Sequence, residues 1–225
     1  MRLLLTAGGV TNPTIQAALV DLLGKPIEES TALCIPTAMY GHPWLGPGVK
    51  AWEFAAGQEA GNPMVSLGWK SVGLLELTAL PSIPDERWMP QVRDADVLLA
   101  SGGDAIYLHH WLRESGMLDL FGELDDTVWV GMSAGSMVMT PRIGEEFVGW
   151  KSDLGDRGLG LVEFAICPHL AVGDRPGNSM EAAEKWASKI DIPAFAMDDE
   201  TAIVVDGDRV EVISEGVWHR LGDRD

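Results

Sequence analysis

Gly131-Met132-Ser133-Ala134-Gly135 is the stretch of this chain most suited to chemistry, and it follows the apolar run Thr127-Val128-Trp129-Val130 directly. A strand that ends in Gly-x-Ser-x-Gly and turns at once into a helix-forming segment is the pattern of a nucleophile elbow. The turn is too tight for bulky neighbours, so glycine flanks the serine and the hydroxyl stands clear of the backbone. The amide of Ala134 then points at the place where an oxyanion would form. The chemistry implied is nucleophilic attack on a carbonyl, that of a serine hydrolase.

A serine hydroxyl needs a base to take its proton. Five histidines are available: His42, His109, His110, His169 and His219. His169 follows the run Phe164-Ala165-Ile166-Cys167-Pro168, which places it at the carboxyl end of a strand, on the same edge as the elbow. Pro168 restricts the backbone there and helps present the ring. His109 and His110 fall in an amphipathic helical segment, where a structural role is the ordinary one. His42 lies in a Pro/Gly loop that borders the same edge. His219 is the rival, because Asp198 or Asp199 followed by His219 fits the Ser-Asp-His order of α/β-hydrolases. The stretch between them reads as a tight hairpin that need not return to the active edge, so His169 is favoured.

The third member must orient the imidazole and stabilise its charged form. Between Ser133 and His169 the candidates are Glu145, Glu146, Asp153 and Asp156. Glu146 precedes Phe147-Val148 and so begins a segment that can pack and hold a carboxylate still. It is preferred, then Glu145, then Asp153. The oxyanion needs two amides. Ala134 offers one, and Gly103 in Ser101-Gly102-Gly103-Asp104 offers the other, since glycine lets a ligand approach the backbone.

These residues need a scaffold that gathers them on one edge. Short apolar, β-rich runs alternate with helical segments. Strands are predicted at Leu3–Leu5, Thr31–Pro36, Trp69–Leu77, Asp96–Ala100, Thr127–Met132 and Leu161–Cys167. Helices are predicted at Pro13–Leu23 (with Asn12 as cap), Pro43–Gly57, Pro84–Arg93, Ala105–Ser115 and Ser179–Ile190. Near-continuous apolar strands in such an order imply a parallel sheet covered on both faces, with ligands beyond the strands' carboxyl ends. Gly8-Gly9, Gly102-Gly103 and Gly131 all mark such ends. Pro141–Leu159 reads as loops or a hairpin. Thr201–Val205 and Arg209–Ile213 form a hairpin around Asp206-Gly207-Asp208, and Val217–Leu221 adds a last strand.

The bulk properties narrow the partners. The chain has 225 residues, 46% of them hydrophobic, and no linker-like tract divides it, so a single domain over residues 1–225 is expected. The net charge of -18 disfavours nucleic acid and anionic membrane. Cys34 and Cys167 lie in apolar runs and read as buried free thiols, with no zinc pattern and no cofactor motif. No apolar run is long enough to span a bilayer and the start reads as a βα unit, so a cytoplasmic protein is expected. Nine tryptophans, Trp44, Trp52, Trp111 and Trp150 among them, suit a core, a substrate wall or a homodimer interface, and a homodimer is expected.

Three motifs in this order, Ser101-Gly102-Gly103-Asp104-Ala105-Ile106-Tyr107-Leu108, Gly131-Met132-Ser133-Ala134-Gly135-Ser136 and Ile166-Cys167-Pro168-His169, resemble the peptidase E family. Its members include aspartyl dipeptidases, and the cyanophycinases are relatives. The resemblance implies an α/β, flavodoxin-like three-layer sandwich of the class I glutamine amidotransferase type, with a mostly parallel sheet and an antiparallel C-terminal hairpin. It implies that Ser133 stands where those amidotransferases carry cysteine, that His169 is the base, and that Gly103 and Ala134 supply the oxyanion amides. Aspartyl dipeptidases place an aspartate shortly after the elbow, where Val148 falls here. Some relatives use a glutamate in this region, and Glu146 is consistent with that, so a Ser-His-Glu triad is expected. The family's aspartyl preference depends on an arginine downstream of the histidine, for which Arg175 is the candidate. Gly102, Asp104 and Arg175 complete the candidate substrate-binding set. The expected substrate is a small peptide, with an Asp-X dipeptide as the specific possibility. A small-molecule ester or amide, or an idle binding homologue, are the alternatives.

Overall fold

The computed structural model describes residues 1–43, 49–58, 61, 63–173 and 176–222. Five parallel strands make the frame: β1 (Arg2–Thr6), β2 (Thr31–Ile35), β3 (Ser71–Leu74), β4 (Val97–Ala100) and β5 (Val128–Met132). They lie in the order β3-β2-β4-β5-β1. The hairpin β8 (Thr201–Asp206) and β9 (Arg209–Ser214) joins antiparallel at the β1 side and completes a seven-stranded sheet.

The strands read as unbroken apolar runs because both faces are covered. On one face Leu3, Leu5, Leu33, Ile35, Leu98 and Trp129 pack against α4 (Asp85–Arg93) and α5 (Ala105–Glu114). On the other, Leu4, Cys34, Val97, Leu99, Val128 and Val130 meet α1 (Pro13–Leu23) and α3 (Val49–Ala55). The alternation follows the two-residue period of the pleat. Asn12 caps α1 by accepting from the Ile15 amide at 2.9 Å, and Pro13 takes the first helical position. This is the three-layer α/β sandwich expected from the sequence.

Several boundaries differ. The predicted Trp69–Leu77 strand shortens to Ser71–Leu74, and the flanking residues pack as coil. The predicted helix over Pro43–Gly57 is represented by α3, preceded by α2 (Ala38–Gly41), and residues 44–48, Trp44 included, lie outside the described residues. The predicted Leu161–Cys167 strand reduces to β6 (Ala165–Cys167), and it does not join the main sheet. It pairs with β7 (Ala194–Met197), a strand not expected from the sequence, and β7 pairs antiparallel with β10 (Trp218–Leu221). This second sheet carries α7 (Met180–Ile190) over its own apolar cluster. His219 sits on β10, opposite Ala196. Among the described residues no helix is long and apolar enough to cross a membrane.

Candidate active site

The elbow is forced by close packing on both sides of the serine. A Cβ on Gly131 would lie 2.3 Å from the Gly135 carbonyl oxygen, and one on Gly135 would lie 2.4 Å from that of Ala100. Neither position has room for a side chain. Ser133 itself is held at φ 50, ψ −108, a conformation that costs a non-glycine residue roughly 1–3 kcal/mol. The surrounding bonds impose it. The Ser133 amide donates to the Thr6 carbonyl at 3.0 Å, and the Met137 amide donates back to the Ser133 carbonyl at 2.9 Å as α6 (Ala134–Met137) begins. The Ser136 hydroxyl lies 2.8 Å from both the Thr6 and the Gly131 carbonyls.

The second sheet delivers the histidine. Beyond β6, His169 takes φ 64, also in the left-handed region. Its turn is pinned by the Leu170 amide on the Met197 carbonyl at 3.0 Å and by the Val172 amide on its own carbonyl at 3.1 Å. The result is a contact between Nε2 of His169 and Oγ of Ser133 at 3.0 Å. Hydroxyl and imidazole therefore meet although they come from different sheets.

The carboxylate on the far side of the ring is that of Asp199, with Oδ1 at 2.6 Å from His169 Nδ1. Asp199 lies in the turn from β7 to β8. The expectation of Glu146 in this role is corrected here. Glu146 accepts instead from the Lys189 ammonium on α7. Burial works against its charge, but Lys189 and a backbone amide outweigh burial and leave its carboxyl below the usual range. Of its alternatives, Glu145 begins the same short 3-10 turn as Glu146, and Asp153 lies in the loop that its carbonyl ties to Arg157. Asp156 forms a forked pair with Arg142, at 2.7 Å from Nη2. Neither Asp198 nor Asp199 is joined to His219 in the manner of an α/β-hydrolase. The Asp198 carboxylate accepts from the Val217 and Glu200 amides and the Thr201 hydroxyl.

A cleft of about 550 Å³ opens at Ser133 and His169. Gly102, Gly103 and Ala134 line it beside the serine. A Cβ on Gly103 would fall 2.3 Å from the Ala38 carbonyl, so this turn must also be glycine, at φ 139. Met39, Met132, Met137, Phe147 and Val148 form apolar walls, and His42 borders the mouth. Burial lowers the pKa of His42 while Asp104 opposes the shift, and the ring is held towards neutrality.

Asp104 borders the cleft but its carboxylate is already engaged. Oδ1 caps α5 by accepting from the Tyr107 amide at 2.8 Å. Oδ2 accepts from the amides of Gly149 and Trp150, at 2.9 and 2.6 Å. It fastens the Phe147–Trp150 wall to the start of α5. Arg175 lies outside the described residues. Among the described residues no group of His, Cys, Asp and Glu is arranged to hold a metal ion.

Comparison with solved structures finds the same fold at low identity. A candidate peptidase E protein from Listeria monocytogenes EGD-e superposes with a TM-score of 0.65 at 20% identity, over 96% of this chain and 98% of that one. A peptidase from an acI-B1 Actinobacterium gives 0.69 at 20% identity, over 97% and 89%. No curated protein sequence matches. The sequence model described as peptidase family S51 matches residues 3–213. A match of that extent, from the first strand to the end of β9, makes the chain a hydrolase belonging to peptidase family S51.

Proposed function

We propose that this protein hydrolyses small peptides through an acyl-enzyme formed on Ser133, with His169 as base and Asp199 as the acid that orients it. The observation that carries this reading is the continuous chain of contacts Ser133 Oγ–His169 Nε2–His169 Nδ1–Asp199 Oδ1, at 3.0 and 2.6 Å. Asp199 holds the tautomer in which Nδ1 bears hydrogen, which leaves Nε2 to take the serine proton. Oγ attacks the carbonyl carbon, and the amides of Gly103 and Ala134 receive the oxyanion. His169 then gives the proton to the leaving amine, and the acyl-enzyme forms. Water, deprotonated by the same imidazole, attacks the ester and releases the acid.

The lining bears on the substrate. The walls beside Ser133 are mostly thioether and hydrocarbon, with the carboxylates of Asp104 and Glu146 at their edge. Among the described residues of the lining none is lysine or arginine. This surface suits a peptide whose side chain next to the scissile bond is uncharged. A preference for Asp-X would need a cation such as Arg175.

A fluorophosphonate probe should label Ser133, and Ser133→Ala should abolish labelling. A dipeptide library run with the Ser133→Ala control should show turnover of short peptides by the native protein alone. Labelling elsewhere, or turnover that survives Ser133→Ala, would overturn the reading. Turnover of chromogenic esters with none of any peptide would move the protein to the esterase class.

A further inference from the structure

The glycine pair after β1 is the one strand-end motif that the chemistry above leaves unused. Its two glycines are there for different reasons. Gly9 adopts φ 95 and needs the conformation. Gly8 needs the space. A Cβ built on Gly8 would lie 2.6 Å from Cβ of Asp199, 2.9 Å from its Cγ and 2.9 Å from its carbonyl oxygen. These are the three nearest atoms to that position, and all belong to Asp199. Three residues further on, the Thr11 hydroxyl donates to the Asp199 carbonyl at 2.8 Å. Asn12 Nδ2 donates to the carbonyl and to Oε2 of Glu200, both at 3.0 Å.

The other end of the same turn holds the nucleophile. The Thr6 carbonyl accepts from the Ser133 amide, and the Thr6 hydroxyl donates to the Gly131 carbonyl at 2.8 Å. That hydroxyl also accepts from the Gly9 amide at 2.9 Å. One short segment thus touches the backbone of Ser133 at one end and that of Asp199 at the other. His169, by contrast, arrives from the second sheet.

We infer that the turn Thr6–Asn12 is the gauge that sets the separation of nucleophile and acid, with Gly8 and Thr11 as positioning residues for Asp199. Neither touches substrate or the reacting atoms. Each acts through the place and orientation of the Asp199 carboxylate. The inference rests on the catalytic reading of Asp199 given above.

The test is a double-mutant cycle read by kcat, KM and the pH profile of kcat/KM. A misplacement of about 1 Å costs on the order of 10²-fold in rate. Gly8→Ala, which pushes on Asp199, should therefore lower kcat about 10²-fold with KM nearly unchanged. Thr11→Val should lower it about tenfold, and Thr11→Ser should restore it. In an Asp199→Asn background neither Gly8→Ala nor Thr11→Val should lower the residual rate further, because the group they position is already disabled. Full activity in both Gly8→Ala and Thr11→Val, with Asp199→Asn inactive, would sink the gauge and leave the catalytic reading standing. Losses that multiply with that of Asp199→Asn would also sink it, since they would show a defect unrelated to the acid. Full activity in Asp199→Asn would sink the catalytic reading itself. Should Gly8→Ala fail to fold, the Thr11→Val and Thr11→Ser pair carries the same comparison.

Discussion

The indole of Trp129 donates from Nε1 to the carbonyl of Gly135 across 2.8 Å, so the strand that carries Ser133 also holds the far side of its own elbow. Trp129 is fully buried on β5, and its ring lies tilted at 60° to that of Phe121. Its ring fills the space under the elbow, and its N–H satisfies a carbonyl that no water reaches. Trp129→Phe keeps most of the ring but leaves that acceptor unpaired. A buried unpaired carbonyl costs about 1–3 kcal/mol. Chemical denaturation should show a loss of that size, and the rate constant for fluorophosphonate labelling of Ser133 should fall with it. Unchanged stability and labelling would mean that the elbow holds itself.

Two substitutions separate Asp199, which meets His169, from Glu146, the carboxylate expected there from the sequence. Asp199→Asn preserves the shape of the turn but allows the amide to favour the wrong imidazole tautomer, which costs on the order of 10⁴-fold in kcat in a triad of this kind. Glu146→Gln removes the partner of Lys189 and one carboxylate charge at the edge of the cleft, and leaves the Asp199–His169 contact in place. The Lys189–Glu146 pair is substantially exposed, with side chains 56% and 39% accessible, and such pairs contribute about 0–1 kcal/mol. Steady-state kinetics on both variants should give a collapse for the first and a rate within a few-fold of native for the second. The reverse pattern would return the acid to Glu146.

The elbow, the glycine turn after β4 and the Pro-His step after β6 are local in sequence, each a strand end followed by its own signal, and so all were legible. The carboxylate that meets His169 was not. The sequence offers carboxylates between Ser133 and His169, among residues that fold into a loop wall, while Asp199 lies 30 positions beyond His169. Its signal was present: the short run Ala194-Phe195-Ala196-Met197 ends in Asp198-Asp199, another strand exit carrying a polar group. At four residues, with no alternating polar face, β7 is too brief for periodicity to mark it. Hydrolase order puts the histidine last and so pairs Asp199 with His219. Pairing of β10 with β7 places His219 within the second sheet, and β6 beside β7 brings His169 alongside the turn that holds Asp199. Which histidine meets which carboxylate is decided by strand pairing, a non-local property.

Both thiols are expected to be inert in the native protein. Burial raises Cys34 to about 11 and Cys167 to about 12, from an ordinary value of 9.0. The reactive species is the thiolate, and neither supplies it at neutral pH. Ellman's reagent should therefore label neither cysteine until denaturant is added. The linkage has a definite sign. Between pH 9 and 11–12 the unfolded chain loses protons that the folded chain keeps, so stability falls as pH rises through that window. Urea midpoints at pH 8 and pH 10 should show the decline, and Cys167→Ala should reduce its slope.

His109 gives the mirror-image prediction in acid. It is buried on α5, and its Nδ1 lies 2.9 Å from the Arg157 carbonyl, where the N–H of the neutral ring donates. Burial lowers its pKa below the usual 6.5, the carbonyl contact opposing and the nearby arginines assisting. As pH falls below about 6.5 the unfolded chain takes up a proton that the folded chain does not, so stability declines. The decline should be smaller in His109→Gln when urea midpoints at pH 7 and pH 5.5 are compared. An equal decline in both proteins would place the acid sensitivity elsewhere, with His42 next to be tested.

Val148 offers a gain-of-function test of how the cleft selects its substrate. It lies in the wall that Asp104 fastens, and it faces the same space as Ser133. With Met39, Met132 and Met137 it presents hydrocarbon and thioether to the cleft beside Ser133. A substrate carboxylate desolvated there would find no cation among the described lining residues, and an unpaired buried charge is costly. Val148→Arg places a guanidinium at the wall, where a forked pair with a substrate carboxylate becomes available. The ratio of kcat/KM for Asp-Leu over Ala-Leu should rise by about tenfold or more, roughly 1.4 kcal/mol or more of discrimination. A native protein that already prefers Asp-Leu strongly, with a ratio unmoved by Val148→Arg, would mean that the acidic side chain is recognised by a cation outside this wall.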